Sequence, residues 1–155
     1  MPDATARPAA TAAPAPRQDP FGAYNFKVVI QGVTEALFSF CTGFGFAIET
    51  IDWGVGADPV VHRLPGRVKY NDVTLRYGLT TSQELWLWLQ AVAKGQVQRR
   101  NVSIVVLAND GVTEGVRFNL INAWPAKWLG APLDALSNEV AIEELTLVYE
   151  MLEKA

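Results

Sequence analysis

Asn122-Ala123-Trp124-Pro125-Ala126-Lys127-Trp128-Leu129-Gly130 leads through a Pro-containing loop into Asn138-Glu139-Val140-Ala141-Ile142-Glu143-Glu144-Leu145-Thr146-Leu147-Val148-Tyr149-Glu150. The second segment alternates apolar and polar residues, the period of a strand with one buried face. Val140 and Ile142 share one phase and Leu145, Leu147 and Tyr149 the other, so a bulge is expected at Glu143-Glu144. Two Trp beside a proline, next to a strongly two-faced strand, suit a β protein with aromatic residues left over for contacts.

Outward from this stretch the same period recurs. Phe26, Val28 and Ile30 alternate with Lys27, Val29 and Gln31. Ala36, Phe38 and Phe40 start a second strand, which the glycines of Gly43-Phe44-Gly45 bend before Phe46 and Ile48 resume it. Residues 53–66 read as a long loop, closed by Leu64-Pro65-Gly66. A strand is expected from Arg67 to Tyr77, with Val73, Leu75 and Tyr77 on one face. Val102, Ile104 and Val106 interleave with Ser103, Val105 and Leu107, as in a strand covered on both sides. Asn109-Asp110-Gly111 marks a turn, and Val116, Phe118 and Leu120 oppose Arg117, Asn119 and Ile121.

Only one segment has a helical period. Leu85, Trp88, Leu89 and Val92 recur at helical spacing, which predicts a helix over residues 82–94. Thr81-Ser82-Gln83-Glu84 fits a capping box at its start, and Gly95 is a natural stop. Trp86 and Leu87 lie off the apolar stripe. One helix among six or seven strands predicts a mainly β fold, a small antiparallel barrel or sandwich with one flanking helix. Tracts of nine or more strand residues are long for one domain and suit hairpins that outreach the core.

The chain has 155 residues, half of them hydrophobic and 19% charged, with a formal net charge of −3. That suits one domain and argues against a nucleic-acid footprint. Residues 1–18 are set apart as a flexible leader, and the domain is placed at 19–155. Five Pro and seven Ala fill twelve of the first twenty positions, too little apolar bulk to offset ordering entropy. A secretory signal and a membrane span are both unexpected, so assembly is placed in the cytoplasm.

Candidate chemistry is sparse. Cys41 and His62 are the only cysteine and histidine, and a nucleophilic pair between them would need the fold to bring them together. Gly43-Phe44-Gly45 lacks the ending of a phosphate loop, and Gly54-Val55-Gly56 does not open a helix. Glu143 and Glu144 are adjacent on a strand and point to opposite faces, so they form no acid–base pair. No catalytic, cofactor-binding or metal-binding residue is assigned, and no enzymatic activity is expected. The Trp residues are candidates for interfaces.

Several segments together resemble the phage tail tube family, whose members also build the inner tubes of contractile injection systems. They are Asp19-Pro20-Phe21, Leu64-Pro65-Gly66-Arg67-Val68-Lys69-Tyr70, Val73-Thr74-Leu75-Arg76-Tyr77-Gly78-Leu79-Thr80 and Glu84-Leu85-Trp86-Leu87-Trp88. Arg99-Arg100-Asn101-Val102-Ser103-Ile104, Asn122-Ala123-Trp124-Pro125-Ala126-Lys127-Trp128 and Asn138-Glu139-Val140-Ala141-Ile142-Glu143 follow in order. The resemblance implies a structural subunit that closes as hexameric rings, stacked by helical assembly into a hollow conduit. Hairpins line the lumen, and residues 50–66 reach neighbouring subunits. It implies as partners other copies of the chain, sheath subunits, baseplate and hub proteins, and tape-measure or cargo in the lumen. Membrane insertion and specific nucleic-acid binding are not implied. The particle would be a phage tail, hence a virion, or a released extracellular phage tail-like particle. Inter-subunit contacts are expected at Trp53, Val55, Val60, Val61, His62, Trp86, Trp124, Trp128 and Glu143. A single-ring adaptor at the baseplate end, a small β-barrel enzyme and a ligand-binding module are the alternatives.

Overall fold

The computed structural model describes residues 19–33, 38–79 and 83–155. The leader at 1–18, Ala36 and the capping-box Thr81 lie outside the described residues. In chain order the elements are β1 (Phe26–Ile30), β2 (Phe38–Thr42), β3 (Gly45–Trp53), β4 (His62–Asn71), β5 (Val73–Gly78), α1 (Glu84–Ala93), β6 (Arg100–Leu107), β7 (Glu114–Leu129), β8 (Ile142–Val148) and β9 (Met151–Lys154). All strand pairs are antiparallel. The main sheet runs β1-β6-β7-β8-β5-β2, with β9 also on β7.

Strand β7 joins the two halves of this sheet. Its first part pairs β6 and β9, and its last part pairs β8. Of its three irregularities, one lies near its start, opposite Val106–Leu107, and two lie where the halves meet. The first of these two lies opposite Arg100–Val102, where Asn122 adopts φ 54°, a left-handed conformation that Asn tolerates. Asn122 N–H donates to Asn101 Oδ1 at 3.3 Å, and its Nδ2 donates to Glu150 Oε2 at 3.0 Å. The second irregularity falls at Pro125–Lys127, a place where a proline costs no regular ladder bond. Folded at this corner, both halves contribute to one core. Val28, Ile30, Val102, Ile104 and Leu120 come from one half, and Val73, Leu75, Tyr77, Leu145, Leu147 and Tyr149 from the other. This is the expected mainly β, antiparallel fold with one helix.

The bulge expected at Glu143-Glu144 does not exist. Strand β8 pairs β5 in unbroken register from Ile142 to Leu147, and the phase slip arises because Val140 lies outside the strand. The irregularity is in the facing strand, at Pro125–Lys127. The Trp124–Trp128 segment, read as leading into a loop, is likewise inside β7.

The helix starts at Glu84, with Gln83 as its N-cap, and ends as expected. Gly95 has φ 86°, Gly95 N–H donates to Val92 O and Gln96 N–H to Ala91 O, a Schellman close. Trp88 is the buried anchor. Its Nε1 donates to Gln98 O at 2.7 Å, and the Arg100 guanidinium lies 5.1 Å from its ring centroid.

Two further expectations are corrected. The loop expected over residues 53–66 is shortened to 54–61, with Trp53 and residues 62–66 in strands, because β3 and β4 pair from Gly45↔Asn71 out to Trp53↔His62. Gly and Pro read as loop formers, yet both strands of this hairpin are edges, where a proline is tolerated. Gly66 sits at the register shift between Ile48 and Thr50, where an added Cβ would lie 3.1 Å from Glu49 O. The expected strand from Arg67 to Tyr77 is broken at Asp72. The reason is a crossing: Gly43, at φ +93°, passes so close that a Cβ there would be 2.4 Å from Asp72 O. Register continues across the break, from Thr42↔Thr74 to Gly45↔Asn71. Strands β3 and β4 therefore form an arm that prolongs the β2–β5 ladder, about 30 Å long at the usual rise. Gly43→Ala is expected to destabilise the fold by about 1–3 kcal/mol, from strain plus the backbone collision. A urea midpoint equal to that of the parent would contradict this account of the crossing.

Candidate assembly interface

The arm is exposed on both faces, and alternation along paired strands places its residues. Phe46, Ile48, Val68 and Tyr70 share one face near the base, followed outward by Asp52 and Arg63. Ala47, Glu49 and Lys69 start the other face, followed by Ile51, Leu64, Trp53 and His62. Apolar surface thus crosses from one face at the base to the other at the tip. Charged pairs fill the remainder: Lys69 Nζ to Glu49 Oε1 at 2.7 Å and Arg63 Nε to Asp52 Oδ1 at 3.5 Å. Exposed pairs of this kind add little stability, so the arm is held at its base instead. There Tyr149 accepts from Gly45 N–H at 3.2 Å and donates to Gly45 O at 3.1 Å, while Tyr70 lies between Phe46 and Tyr149.

Five of the residues expected at interfaces gather at the tip. Trp53 is 53% exposed and its ring lies 5.9 Å from that of His62. Val55, Val60 and Val61 are exposed in the loop between them. Asp58 orders the loop: its Oδ1 accepts from Val60 N–H at 3.0 Å and its Oδ2 lies 3.7 Å from His62 Nε2.

Trp86, Trp128 and Glu143 gather elsewhere, in contacts within the subunit. Trp86 meets Trp128 edge to face at 5.1 Å, and Trp128 Nε1 donates to the Tyr77 hydroxyl at 3.3 Å. Glu143, the cross-strand partner of Tyr77, is hydrogen-bonded to that hydroxyl. Trp86 still keeps nearly half its surface open. Trp124 is half-buried opposite Val148. Glu143 and Glu144 do point to opposite faces: Glu144 takes the outer one and accepts from Arg76 Nε at 2.7 Å.

A second apolar surface lies at the far end of the main sheet. Leu133, Leu136 and Val140 are 82%, 95% and 78% exposed in the loop of residues 130–141. The loop overhangs a cleft of about 870 Å³ floored by Arg76, Ile142 and Glu144. Sequence reading passed over Leu133 and Leu136, large aliphatics in a segment without strand or helix period, and placed Val140 in the final strand. It also passed over the arm base, where Phe46, Ile48 and Val68 alternate in a way that resembles an ordinary core strand.

Cys41 and His62 are not brought together. Cys41 pairs Leu75 in the main sheet and His62 pairs Trp53 at the arm tip, about 40 Å apart along the strand at its usual rise. Cys41 is half-buried, and burial pushes its thiol up to about 11. Among the described residues, no group of three or more His, Cys, Asp or Glu could hold a metal ion. No helix among them is long and apolar enough to cross a membrane.

Tyr77 is pushed up to about 12, first by burial and then by its bond to Glu143. Both groups hold their protons longer in the folded chain than in the unfolded one. The stability tied to them is complete below pH 9 and is lost as pH rises, through about 11 for Cys41 and about 12 for Tyr77. Unfolding midpoints are expected to fall above pH 9, and Cys41→Val should postpone the onset toward pH 10. An identical alkaline limb in that variant would contradict the assignment.

A family model described as T4-like virus tail tube protein gp19 matches residues 22–153. The chain belongs to this family. It is a structural tube subunit, and the resemblance seen in its sequence holds along nearly the whole domain. Solved structures agree. The tail tube chain is 26% identical to one in the cryo-EM structure of the anti-feeding prophage cap, its tube terminating cap. The TM-score is 0.83, covering 95% of this chain and 98% of that one. It is 26% identical to a chain of the PVC extracellular contractile injection system sheath–tube complex in the extended state, with TM-score 0.79 and coverage of 88% and 91%. A chain of the PVC sheath/tube terminator is 25% identical, with TM-score 0.81 and coverage of 89% and 98%. No protein of curated function matches the chain significantly.

Proposed function

We propose that the chain is the repeating inner-tube subunit of a contractile injection particle or contractile phage tail. Six copies close as a ring, and rings stack into a hollow conduit inside a sheath. The observation that carries this is the arm: a tail-tube family chain carries a hairpin outside its core, apolar at its base on one face and at its tip on the other. Such a surface is hidden only when neighbouring subunits cover both faces. Likeness to a chain from a sheath–tube complex supports sheath subunits as partners. Baseplate and hub proteins and a tape-measure or cargo in the lumen complete the partner set. The conduit is non-enzymatic: it transmits the force of sheath contraction through paired strands and buried interfaces. Assembly in the cytoplasm precedes release of the particle.

A second reading has its own support. The likeness to chains from a tube terminating cap and a sheath/tube terminator favours a single ring at one end of the tube. Electron microscopy of native particles carrying a tagged copy separates the two. Tens to hundreds of tags along a sheathed tube establish the tube subunit, and about six tags at one end establish the terminator. Recovery only in a small soluble complex would overturn both.

A further inference from the structure

We propose that the arm tip of one copy docks in the cleft beneath the 130–141 loop of a second copy, so that successive copies lie head to tail along the β5 axis. The inference rests on the tube reading and adds the surface that receives the tip. Strand β5 runs from Val73, where the arm leaves, to Gly78, beside Ile142 at the cleft. Arm and cleft therefore occupy opposite ends of one ladder. A projection and a recess at opposite ends of the same molecule make a heterologous contact that propagates without closing.

The two surfaces match in chemistry. Trp53, Val55, Val60 and Val61 at the tip would meet Leu133 and Val140 at the cleft. Asp134 and Glu139 also line the cleft, and their carboxylates stay at the solvent edge of the contact, because an unpaired charge buried there would cost more than the apolar burial returns. At the cleft Arg76 is paired with Glu144, and at the tip Asp58 is held by Val60 N–H and His62. The receiving loop has a shape of its own. Asp134 Oδ1 accepts from Leu136 N–H at 3.0 Å, and Ser137 Oγ accepts from Glu139 N–H at 3.1 Å. The arrangement also sets a length. Roughly 14 strand positions separate His62 from Arg76, so one copy advances on the next by about 45 Å or less, strand tilt shortening the projection.

The test is disulfide capture in native particles. In a Cys41→Ser background, Val60→Cys is combined with Val140→Cys in one chain, and Val61→Cys with Leu133→Cys in another. Tubes assembled under reducing conditions are oxidised and run on a denaturing gel. A ladder of linked chains from either pair, with monomer from each single cysteine, is the expected result. Tubes that contain the variants by microscopy and show no ladder from either pair would overturn the docking and leave the tube reading intact. So would capture of a tip cysteine by a sheath protein. Absence of the unmodified chain from any tube would instead remove the tube reading, and the docking with it. The axial repeat of unmodified tubes is a check that needs no variant: a spacing above about 55 Å cannot be spanned by this arm and overturns the proposal.

Discussion

Replacing Gly54–Val61 by a two-residue turn between β3 and β4 is expected to leave the monomer folded and to abolish tubes. The removed residues lie beyond the last ladder pair, Trp53↔His62, and none belongs to the core. A two-residue turn is a standard close for antiparallel strands, and the shorter loop costs less entropy to order. Unfolding free energy should therefore move by no more than about 0.5 kcal/mol. Assembly should suffer far more. Val55, Val60 and Val61 are exposed in the lone subunit, and burying each side chain is worth about 1.5 kcal/mol at the low end. Losing all three weakens each inter-subunit contact by about a thousandfold, and the effect multiplies along a stack. Circular dichroism with urea titration reads the fold, and electron microscopy reads the tubes. Tubes of normal abundance from this variant would remove the arm tip from the assembly surface.

Trp88→Ala carries the largest expected cost to the fold itself. Trp88 is almost wholly buried beneath the helix. Truncating a buried Trp typically costs about 3–5 kcal/mol in lost transfer energy and residual cavity. Here the Gln98 carbonyl loses its 2.7 Å donor and the Arg100 guanidinium loses the ring beneath it. Against a total stability of about 5–15 kcal/mol for a domain of this kind, the variant should unfold early in urea and fill tubes poorly. Trp86→Ala on the same helix is the contrast, because Trp86 is half-exposed and rests on Trp128 at the surface. It should cost about 1 kcal/mol, the scale of a single aromatic pair. Equal costs for the two would mean that the helix is not anchored through Trp88.

Much of this fold was legible because its signals are local. Val28 and Ile30, Val73 and Leu75, and Leu145 and Leu147 turned inward as their period required. So did the Leu85-Trp88-Leu89-Val92 stripe, and Gly95 closed the helix. The misread places share a cause. Gly66 and Pro65 look like loop formers, yet in a two-stranded arm they occupy a register shift and an edge, where the fold tolerates both. Asp72 carries no breaker signal, because its break is imposed by the approach of Gly43, far away in the chain. The slip at Glu143-Glu144 was real in the sequence but belonged to the strand boundary. Its counterpart in geometry, the bend at Pro125–Lys127, lies in a different strand.

The candidate site divides in the same way. Trp53, Val55, Val60, Val61 and His62 are close in sequence and meet at one tip. Trp86, Trp128 and Glu143 meet only because α1, β7 and β8 converge on Tyr77, and there they serve the subunit's own packing. By itself the sequence determined the strand-rich class and the single helix with its stop, since periodicity and turn chemistry are written within a few residues, and the resemblance of its segments pointed to a tube-forming family. Only the tertiary structure decided that the 45–71 segment stands out as an arm, that its apolar surface changes face between base and tip, and that a cleft waits at the opposite end of the same ladder. Those properties depend on which strands pair and which faces that pairing leaves uncovered, and pairing is a relation between residues far apart in the chain.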